Sequence, residues 1–456
     1  MRNDIDIVIL YEKAHRELDV ACALKVLAEE KSFSVEIIQQ DYDYCGALER
    51  FRPRVVVLPF CYQNRSNNIY LMRWREAIFV NMSWEQFFYP GNRSAKTPRG
   101  VFPLQHVFHL SWSDAYSSQL AGIGIPEQRR LQVGNPALAL YREPYRYYFA
   151  QREALAKRYG LDISRRWVFF PENYNWAFYE DSMLRQMEED GQSQEDVAAM
   201  REFTLRSFDE AISWCKRLVA DEKIELVLRP RPATTPARMA QRVEELIGSL
   251  PEGFHIIQDE TVREWILASD LVVSSYSTTL IEAAVAGRPI SMLEPFELPE
   301  VLIQSWHHMA PRITSYTDFR SLVQRAKKGQ AYRSTDLAAW ADANLLNKGD
   351  PIVAILNCLC DLRRGVLQSP PSATIESVTF GGPACLPTRL WWLWKYARSF
   401  VSQYKVSLGF SHAPSDDIVS DVAARMSISS RCRRWKDCLV ETNSSIQAWM
   451  RNRRYT

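Results

Sequence analysis

The sequence predicts an α/β protein with two Rossmann-like domains and a helical C-terminal tail. Short runs rich in Val, Ile and Phe alternate with longer amphipathic stretches, which is typical of parallel sheets with crossover helices. This alternation occurs twice along the chain, on either side of a charged, aromatic segment. A hydroxyl-rich turn then joins a strand to a short helix in the second half. Ligands of such folds bind beyond the carboxyl ends of the strands.

The first domain is predicted from four apolar runs and one helix. The helix covers Leu18–Glu30, and the strands cover Ile5–Leu10, Val35–Ile38, Val55–Leu58 and Ala77–Val80. The charged, aromatic segment that follows places the domain boundary near residue 150. The predicted domains are therefore 1–150 and 151–366, followed by a linker and tail over 367–456.

The second domain repeats the pattern. Its predicted strands are Trp167–Phe170, Ile224–Leu228, His255–Ile257, Leu271–Val273 and Ile290–Leu293. Residues 185–200 are polar enough to predict an exposed loop, and the Pro-Pro pair within 368–373 predicts a linker.

The hydroxyl-rich turn follows the strand Leu271–Val273. The N-terminus of a helix carries unpaired N–H groups and a partial positive charge. Hydroxyl side chains in the turn that begins such a helix therefore favour phosphate binding. Glu282, within the helix, is placed to accept hydrogen bonds from ribose hydroxyls. Gly287 is expected to end the helix after about ten residues. The alternative is that Ser and Thr only cap the helix. The predicted phosphate ligands are Ser274, Ser275, Ser277, Thr278 and Thr279.

The composition predicts a soluble cytoplasmic protein. Hydrophobic residues make up 46% of the 456-residue chain and charged residues 24%, enough for a sizeable core. No signal peptide or bilayer-spanning run is recognisable in the sequence. Nine cysteines lie without C-x-x-C pairs, which favours reduced thiols. No metal-ligand spacing occurs, so neither a metal nor another cofactor is expected, and no nucleic-acid partner is expected either.

The C-terminal tail differs from the rest of the chain in charge. Residues 387–456 hold 12 Lys and Arg against 5 Asp and Glu, although the whole chain has a net charge of +2. Trp residues prefer the bilayer interface and basic side chains favour anionic head groups, so the tail is predicted to contact a membrane surface. The alternative is a helix that packs its aromatic residues on the protein. The tail's tryptophans are Trp391, Trp392, Trp394, Trp435 and Trp449.

Seven short segments together resemble one family. They are YEKAHRELD (11–19), MSWEQ (82–86), FHLSWSDAY (108–116), VGNPAL (133–138), FFPENYNWAF (169–178), LRPRP (228–232) and SSYSTTLIEAAVAGRP (274–289). Their order resembles that of bacterial surface-carbohydrate biosynthesis proteins, which are similar to capsule and lipopolysaccharide Kdo transferases and, more distantly, to teichoic-acid polymerases. The resemblance covers roughly residues 5–320.

This resemblance implies a GT-B glycosyltransferase, in which two Rossmann-like domains face a cleft. It implies a nucleotide-sugar donor, with CMP-Kdo or a related CMP-sugar first, and a glycan or glycolipid acceptor at the inner face of the cytoplasmic membrane. UDP- or GDP-hexose donors stay open. The alternatives are an epimerase or hydrolase of the same fold, or a non-catalytic scaffold subunit of a polysaccharide assembly complex.

One motif departs from the family pattern. Family members commonly have an R-P-H-P stretch whose histidine contacts the donor phosphate, whereas this chain has Arg231 at the histidine position, two residues after Arg229. Arginine binds phosphate oxygens bidentately, so both arginines are predicted phosphate ligands. The alternative is that the two prolines merely end a strand.

Metal-independent glycosyl transfer needs a carboxylate near the sugar and fixed donors for the leaving phosphate. Glu85 and Glu172 follow predicted strands, and Glu17 and Asp19 begin the first helix. These four are the predicted catalytic carboxylates; N-capping or salt bridging is their alternative role. The predicted substrate-binding residues are Arg16, Trp112, Asp114 and Asn173.

Overall fold

The computed structural model describes residues 2–40, 44–62, 70, 74–88, 93, 96–189, 193–231, 234–329, 334–347, 349–367 and 427–441. They form two compact units. The second unit spans Tyr141–Asp342, and the first takes most of the chain up to Leu140 together with the part from Ala343 onwards. The predicted domains 1–150 and 151–366 differ from this division, because the chain returns to the first unit well before residue 366.

The first unit is built on a six-stranded parallel sheet of order β2-β1-β3-β4-β5-β6. Its strands are β1 Asn3–Tyr11, β2 Val35–Gln39, β3 Phe51–Leu58, β4 Ile78–Asn81, β5 Val107–Ser111 and β6 Arg130–Gln132. Its helices up to residue 140 are α1 Ala14–Glu29, α2 Tyr44–Arg50, α3 Val101–His106, α4 Asp114–Gly122 and α5 Pro136–Ala139. The centre of β3, from Val55 to Leu58, is fully buried, as expected for a parallel strand covered on both faces.

The second unit repeats this design with the order β12-β11-β10-β7-β8-β9, again all parallel. Its strands are β7 Trp167–Pro171, β8 Glu225–Arg229, β9 Phe254–Ile256, β10 Leu271–Ser274, β11 Ile290–Leu293 and β12 Arg312–Ile313. Its helices are α6 Arg152–Tyr159, α7 Asp181–Glu189, α8 Gln194–Glu222, α9 Pro236–Ile247, α10 Val262–Ala268, α11 Thr279–Val285, α12 Tyr316–Lys327 and α13 Thr335–Asn344, the last of which crosses the unit boundary. The predicted α/β class with two Rossmann-like domains is confirmed.

The prediction of an exposed loop over residues 185–200 is wrong. Most of this stretch belongs to α7 and α8, and the Ser193 hydroxyl caps α8 by accepting a hydrogen bond from the Asp196 N–H. The buried residues of α8 recur at helical spacing, beginning with Val197, Met200 and Thr204. The polar residues between them occupy the exposed face of an amphipathic helix.

Two further helices belong to the first unit. They are α14 Pro351–Arg364 and α15 Ile428–Lys436, and a short π-helical segment, Asp437–Glu441, continues α15. Trp435 on α15 is fully buried, so this tryptophan packs on the protein, as in the alternative to membrane contact. The linker 368–373 and the other four tail tryptophans lie outside the described residues, and their membrane contact stays a prediction. Among the described helices, none has the length and apolarity needed to cross a bilayer.

Candidate functional site

The two sheets each have one point where the strand order reverses. In the second unit the chain passes from β7 to β8 and β9 on one side, and β10 returns to the other side of β7. In the first unit β2 and β3 lie on opposite sides of β1. The crevice outside the carboxyl ends of strands at such a reversal is the usual ligand site of open α/β sheets. Each unit therefore has a candidate site of its own.

Glu172 holds together the loops after β7 and β8. One carboxylate oxygen accepts a hydrogen bond from the Arg231 backbone N–H at 2.9 Å, and the other accepts one from the Tyr174 N–H at 2.7 Å. The side chain is buried, and this burial raises its pKa even though the backbone N–H groups and nearby arginines oppose the shift. Because this carboxylate is buried and both of its oxygens bind backbone N–H groups of the two loops, the geometry favours a positioning role for Glu172 over direct catalysis.

Arg231 is fixed at the same edge of the sheet. Its guanidinium donates to the Asn173 side-chain oxygen at 2.7 Å, and its backbone carbonyl accepts a hydrogen bond from the Gln258 amide at 2.7 Å. The residue is only partly buried. The predicted ligands Asn173 and Arg231 are thus brought together, with a cation held in place beside β7.

Arg229 lies deeper, at the end of β8. It is 6% exposed, and its guanidinium donates to the Glu260 carbonyl at 3.1 Å. Its Nε atom is buried and has no hydrogen-bond partner among the described residues. Burial lowers the pKa of Arg229 to about 10, and several surrounding acidic groups oppose this effect. Arg229 therefore remains cationic at neutral pH, in surroundings that strengthen electrostatic attraction.

Glu282 on α11 lies near this cation. Its carboxylate accepts a hydrogen bond from the Tyr141 hydroxyl. Burial raises its pKa, whereas the positive charges of Arg263 and Arg229 and the Tyr141 bond favour the ionised form. Glu282 is thus a fixed acceptor with a polar partner already in place.

The five predicted hydroxyl ligands separate into two groups. Ser274 and Ser275 are buried, and the Ser274 hydroxyl donates to the Pro171 carbonyl at 2.5 Å. These contacts make Ser274 part of the strand and not of the turn. Ser277, Thr278 and Thr279 are partly exposed at the start of α11, where the Ser277 hydroxyl bonds that of Thr279 at 3.0 Å. The helix has seven residues, not about ten.

The candidate site of the first unit is centred on Arg16. Its guanidinium bonds Glu17 at 2.6 Å, Glu85 at 2.7 Å and Glu12 at 3.1 Å. Glu85 also pairs with Lys96, so although burial acts to raise its pKa, the two cations hold it below the ordinary value. The Arg16 guanidinium further stacks over the Phe60 ring, 5.0 Å from its centroid. This network joins the residues that follow β1, β3 and β4.

Glu17 titrates near neutrality. Its side chain is 1% exposed, and burial raises its pKa from 4.5 to about 7 against the attraction of Arg16. Between these two pH values the folded protein binds more protons at Glu17 than the unfolded chain does. The contribution of Glu17 to stability is therefore greatest below pH 4.5 and falls as the pH rises towards 7.

We expect Glu17→Gln to remove this pH dependence. The shift corresponds to roughly 3 kcal/mol at most, so the melting temperature of the wild type should fall relative to that of the variant between pH 5 and pH 8. Thermal unfolding at both pH values measures this difference. Glu30→Gln, an exposed change just beyond α1, is the control and should track the wild type. A constant difference between wild type and Glu17→Gln would contradict the prediction.

Three other predicted residues lie apart from these networks. Asp19 is 1% exposed and pairs at 2.9 Å with Arg431 of α15, so it is covered by the C-terminal helix. Trp112 is buried beside Phe87, and Asp114 is exposed in the first turn of α4. The structure does not support the catalytic prediction for Asp19, because its neighbour is a structural cation. No group of three potential metal ligands is found in the described part of the chain.

Sequence reasoning missed Tyr141, Lys96 and Arg263. Tyr141 reaches Glu282 across 141 residues of chain, and Lys96 reaches Glu85 across 11 residues. No local pattern marks either residue. The density of Arg and Tyr in YREPYRYY, residues 141–148, was the only available signal.

Comparisons with known proteins identify the fold. No family model matches the chain, and no curated protein matches it either. A variant of the wall teichoic acid polymerase TagF matches with a TM-score of 0.53 and 11% identity over 79% of this chain and 90% of that one. Another TagF structure matches with a TM-score of 0.51 and 10% identity over 80% of this chain and 90% of that one. A putative UDP-N-acetylglucosamine 2-epimerase from Listeria monocytogenes matches with a TM-score of 0.48 and 13% identity over 81% of this chain and 98% of that one. At such identities the TagF likeness establishes a GT-B-like fold and nothing finer.

Proposed function

We propose that the protein is a glycosyltransferase that takes a sugar from a nucleotide-linked donor without a metal ion. The observation that carries this proposal is the anchored cation at the reversal point of the second sheet, where Glu172 and Asn173 hold Arg231. A guanidinium fixed beforehand binds a phosphate without the cost of ordering a flexible side chain. This is the chemistry required to receive a departing nucleotide phosphate.

The neighbouring groups extend the proposed donor site. Arg229 adds a buried positive charge, Glu282 offers an acceptor for ribose hydroxyls, and Ser277, Thr278 and Thr279 offer partly exposed hydroxyls. The TagF likeness supports the GT-B-like framework of this proposal. CMP-Kdo or a related CMP-sugar is the first donor to test, on the strength of the motif resemblance alone. We further propose a surface glycan or glycolipid acceptor at the inner membrane face, a placement that cosedimentation with anionic liposomes tests.

Glu85 is the strongest catalytic candidate among the four carboxylates. Its side chain is 36% exposed, whereas that of Glu17 is 1% exposed and Glu172 and Asp19 are buried. Arg16 and Lys96 keep it ionised, which is the form that can accept a proton from an acceptor hydroxyl. Arg16 is then a positioning residue for Glu85.

A thermal-shift screen tests the donor site. We expect one nucleotide, CMP first, and its sugar conjugate to raise the melting temperature selectively, because a ligand that binds only the folded state stabilises it. CDP, UMP, UDP and GDP are the comparisons, each with magnesium and with EDTA. Glu85→Gln should keep this shift and lose sugar transfer. A flat screen with folded protein would reject the donor site and favour the scaffold alternative.

A further inference from the structure

The C-terminal helix α15 is docked on α1 by two contacts of different kinds. Arg431 forms an ion pair with the buried Asp19 carboxylate at 2.9 Å, and the Trp435 ring is fully buried. Both helices belong to the first unit. About 410 residues of sequence separate the two partners of the ion pair.

A pair of thiols lies in the same interface. Cys22 follows Asp19 by three residues on α1 and is fully buried, and Cys432 directly follows Arg431 and is partly exposed. The two side chains interact with each other across this interface. Both thiols are reduced. A disulfide bond needs its sulfur atoms about 2 Å apart, so α15 and α1 must bring the two thiols together before they can be joined.

The two thiols differ in their exposure and in the charges around them. The Cys22 thiol lowers the pKa of Cys432 by hydrogen bonding, and Lys25 also lowers it, against burial and the negative charges of Glu29 and Glu36. The contact with Cys432 raises the pKa of Cys22, as do burial and Asp19, while Arg431 opposes the shift. Cys432 is the more exposed of the two thiols, so it is the one that meets a small disulfide from solution first, and it reacts as the thiolate.

We propose that Cys22 and Cys432 form a reversible disulfide by exchange with a small disulfide such as oxidised glutathione, and that this bond locks α15 onto α1. The Cys432 thiolate attacks one glutathione sulfur, forms a mixed disulfide and releases one glutathione thiolate. Cys22 then loses its proton and attacks the Cys432 sulfur, which releases the second glutathione. The protein dithiol is oxidised by two electrons, and one oxidised glutathione becomes two reduced molecules.

The disulfide would add a covalent bond to the contacts that already hold α15 on α1. In a reducing medium Arg431 and Trp435 hold the helix alone, and its detachment would uncover the Asp19 carboxylate and the Cys22 thiol. In an oxidising medium the same detachment requires breaking the disulfide, which also restricts the unfolded chain. The site is separate from the proposed donor site, which lies in the other unit, and the proposal is independent of the enzymatic one.

Peptide mapping of the full-length protein tests the bond. After equilibration in oxidised glutathione and alkylation, digestion at lysines should give a cross-linked pair of peptides, residues 14–25 with residues 406–436. Each peptide contains one cysteine, Cys22 or Cys432. Excess reduced glutathione should abolish the pair. If the exposed thiols become glutathionylated and the cross-linked pair never forms in folded protein, the proposal is overturned.

Variants and thermal unfolding complete the test. Cys432→Ser should abolish the cross-linked pair, whereas Cys438→Ser, a partly exposed thiol of the same segment, should leave it intact. Oxidised wild type and Cys438→Ser should both melt several degrees above their reduced forms, and Cys432→Ser should show no such shift. A cross-link without any rise in melting temperature would overturn the locking role.

Discussion

Replacing Arg231 by alanine should weaken nucleotide binding about 10- to 100-fold. The substitution removes a charge-assisted phosphate contact worth roughly 1.5–3 kcal/mol. It leaves the loop intact, because Glu172 binds the backbone N–H of residue 231 and not its side chain. Isothermal titration with the nucleotide that gives the largest thermal shift measures the change. Arg231→Lys should recover only part of the affinity, since an ammonium ion cannot make a bidentate contact.

The matched control is Arg242→Ala. Arg242 lies on α9 and pairs with Asp209 at 2.7 Å. Its side chain is 31% exposed, so it is partly buried, as Arg231 is. Its loss removes one cation from the same unit without touching the loops after β7 and β8. Binding should stay at the wild-type level. If Arg231→Ala binds the nucleotide as tightly as this control, Arg231 does not belong to the site.

Replacing Gly134 by alanine should destabilise the first unit by roughly 2–4 kcal/mol. Gly134 has a φ of +83°, which costs about 1–2 kcal/mol for a residue with a side chain. A Cβ atom there would also lie 2.9 Å from Pro351 Cγ and 3.1 Å from the Leu345 carbonyl oxygen. Leu345 precedes α14 and Pro351 is its first residue, so the clash would disturb the part of the chain that returns to the first unit. Chemical denaturation monitored by tryptophan fluorescence measures the loss.

Gly122→Ala provides the comparison. Gly122 ends α4 outside the left-handed region, and a Cβ atom at this position would have no heavy atom within 4 Å. Alanine should be neutral there or stabilising by about 0.5–1 kcal/mol. Equal unfolding midpoints for the two variants would show that the contact between Gly134 and Pro351 carries no strain.

Local signals in the sequence predict much of this fold. The strands were found because central parallel strands are continuous apolar runs, as in Val55–Leu58. A serine also marks the start of α4, where the Ser113 hydroxyl accepts a hydrogen bond from the Tyr116 N–H. Residues 185–200 were misread because an amphipathic helix with few apolar residues resembles a loop in composition.

The site was harder to predict, because its contacts join distant parts of the chain. Arg231 and Asn173 were named from their motifs, but the bond between them spans 58 residues. Nothing near Asp19 indicates that Arg431 will cover it. The preference of a carboxylate for a cation is general, whereas the identity of the cation depends on the packing of α15 against α1.

The return of the chain to its first unit affects the order in which the protein can be completed during synthesis. All six strands of the second unit lie within one segment, Tyr141–Asp342, and are present once that segment has been made. The first unit begins earlier but also needs α14, whose Arg363 pairs with Asp6, and α15, whose Arg431 pairs with Asp19. The domain that leaves the ribosome first is therefore the last to acquire its full set of helices. A ribosome that stops before residue 428 releases a chain without α15, in which Asp19 of α1 lacks its partner Arg431.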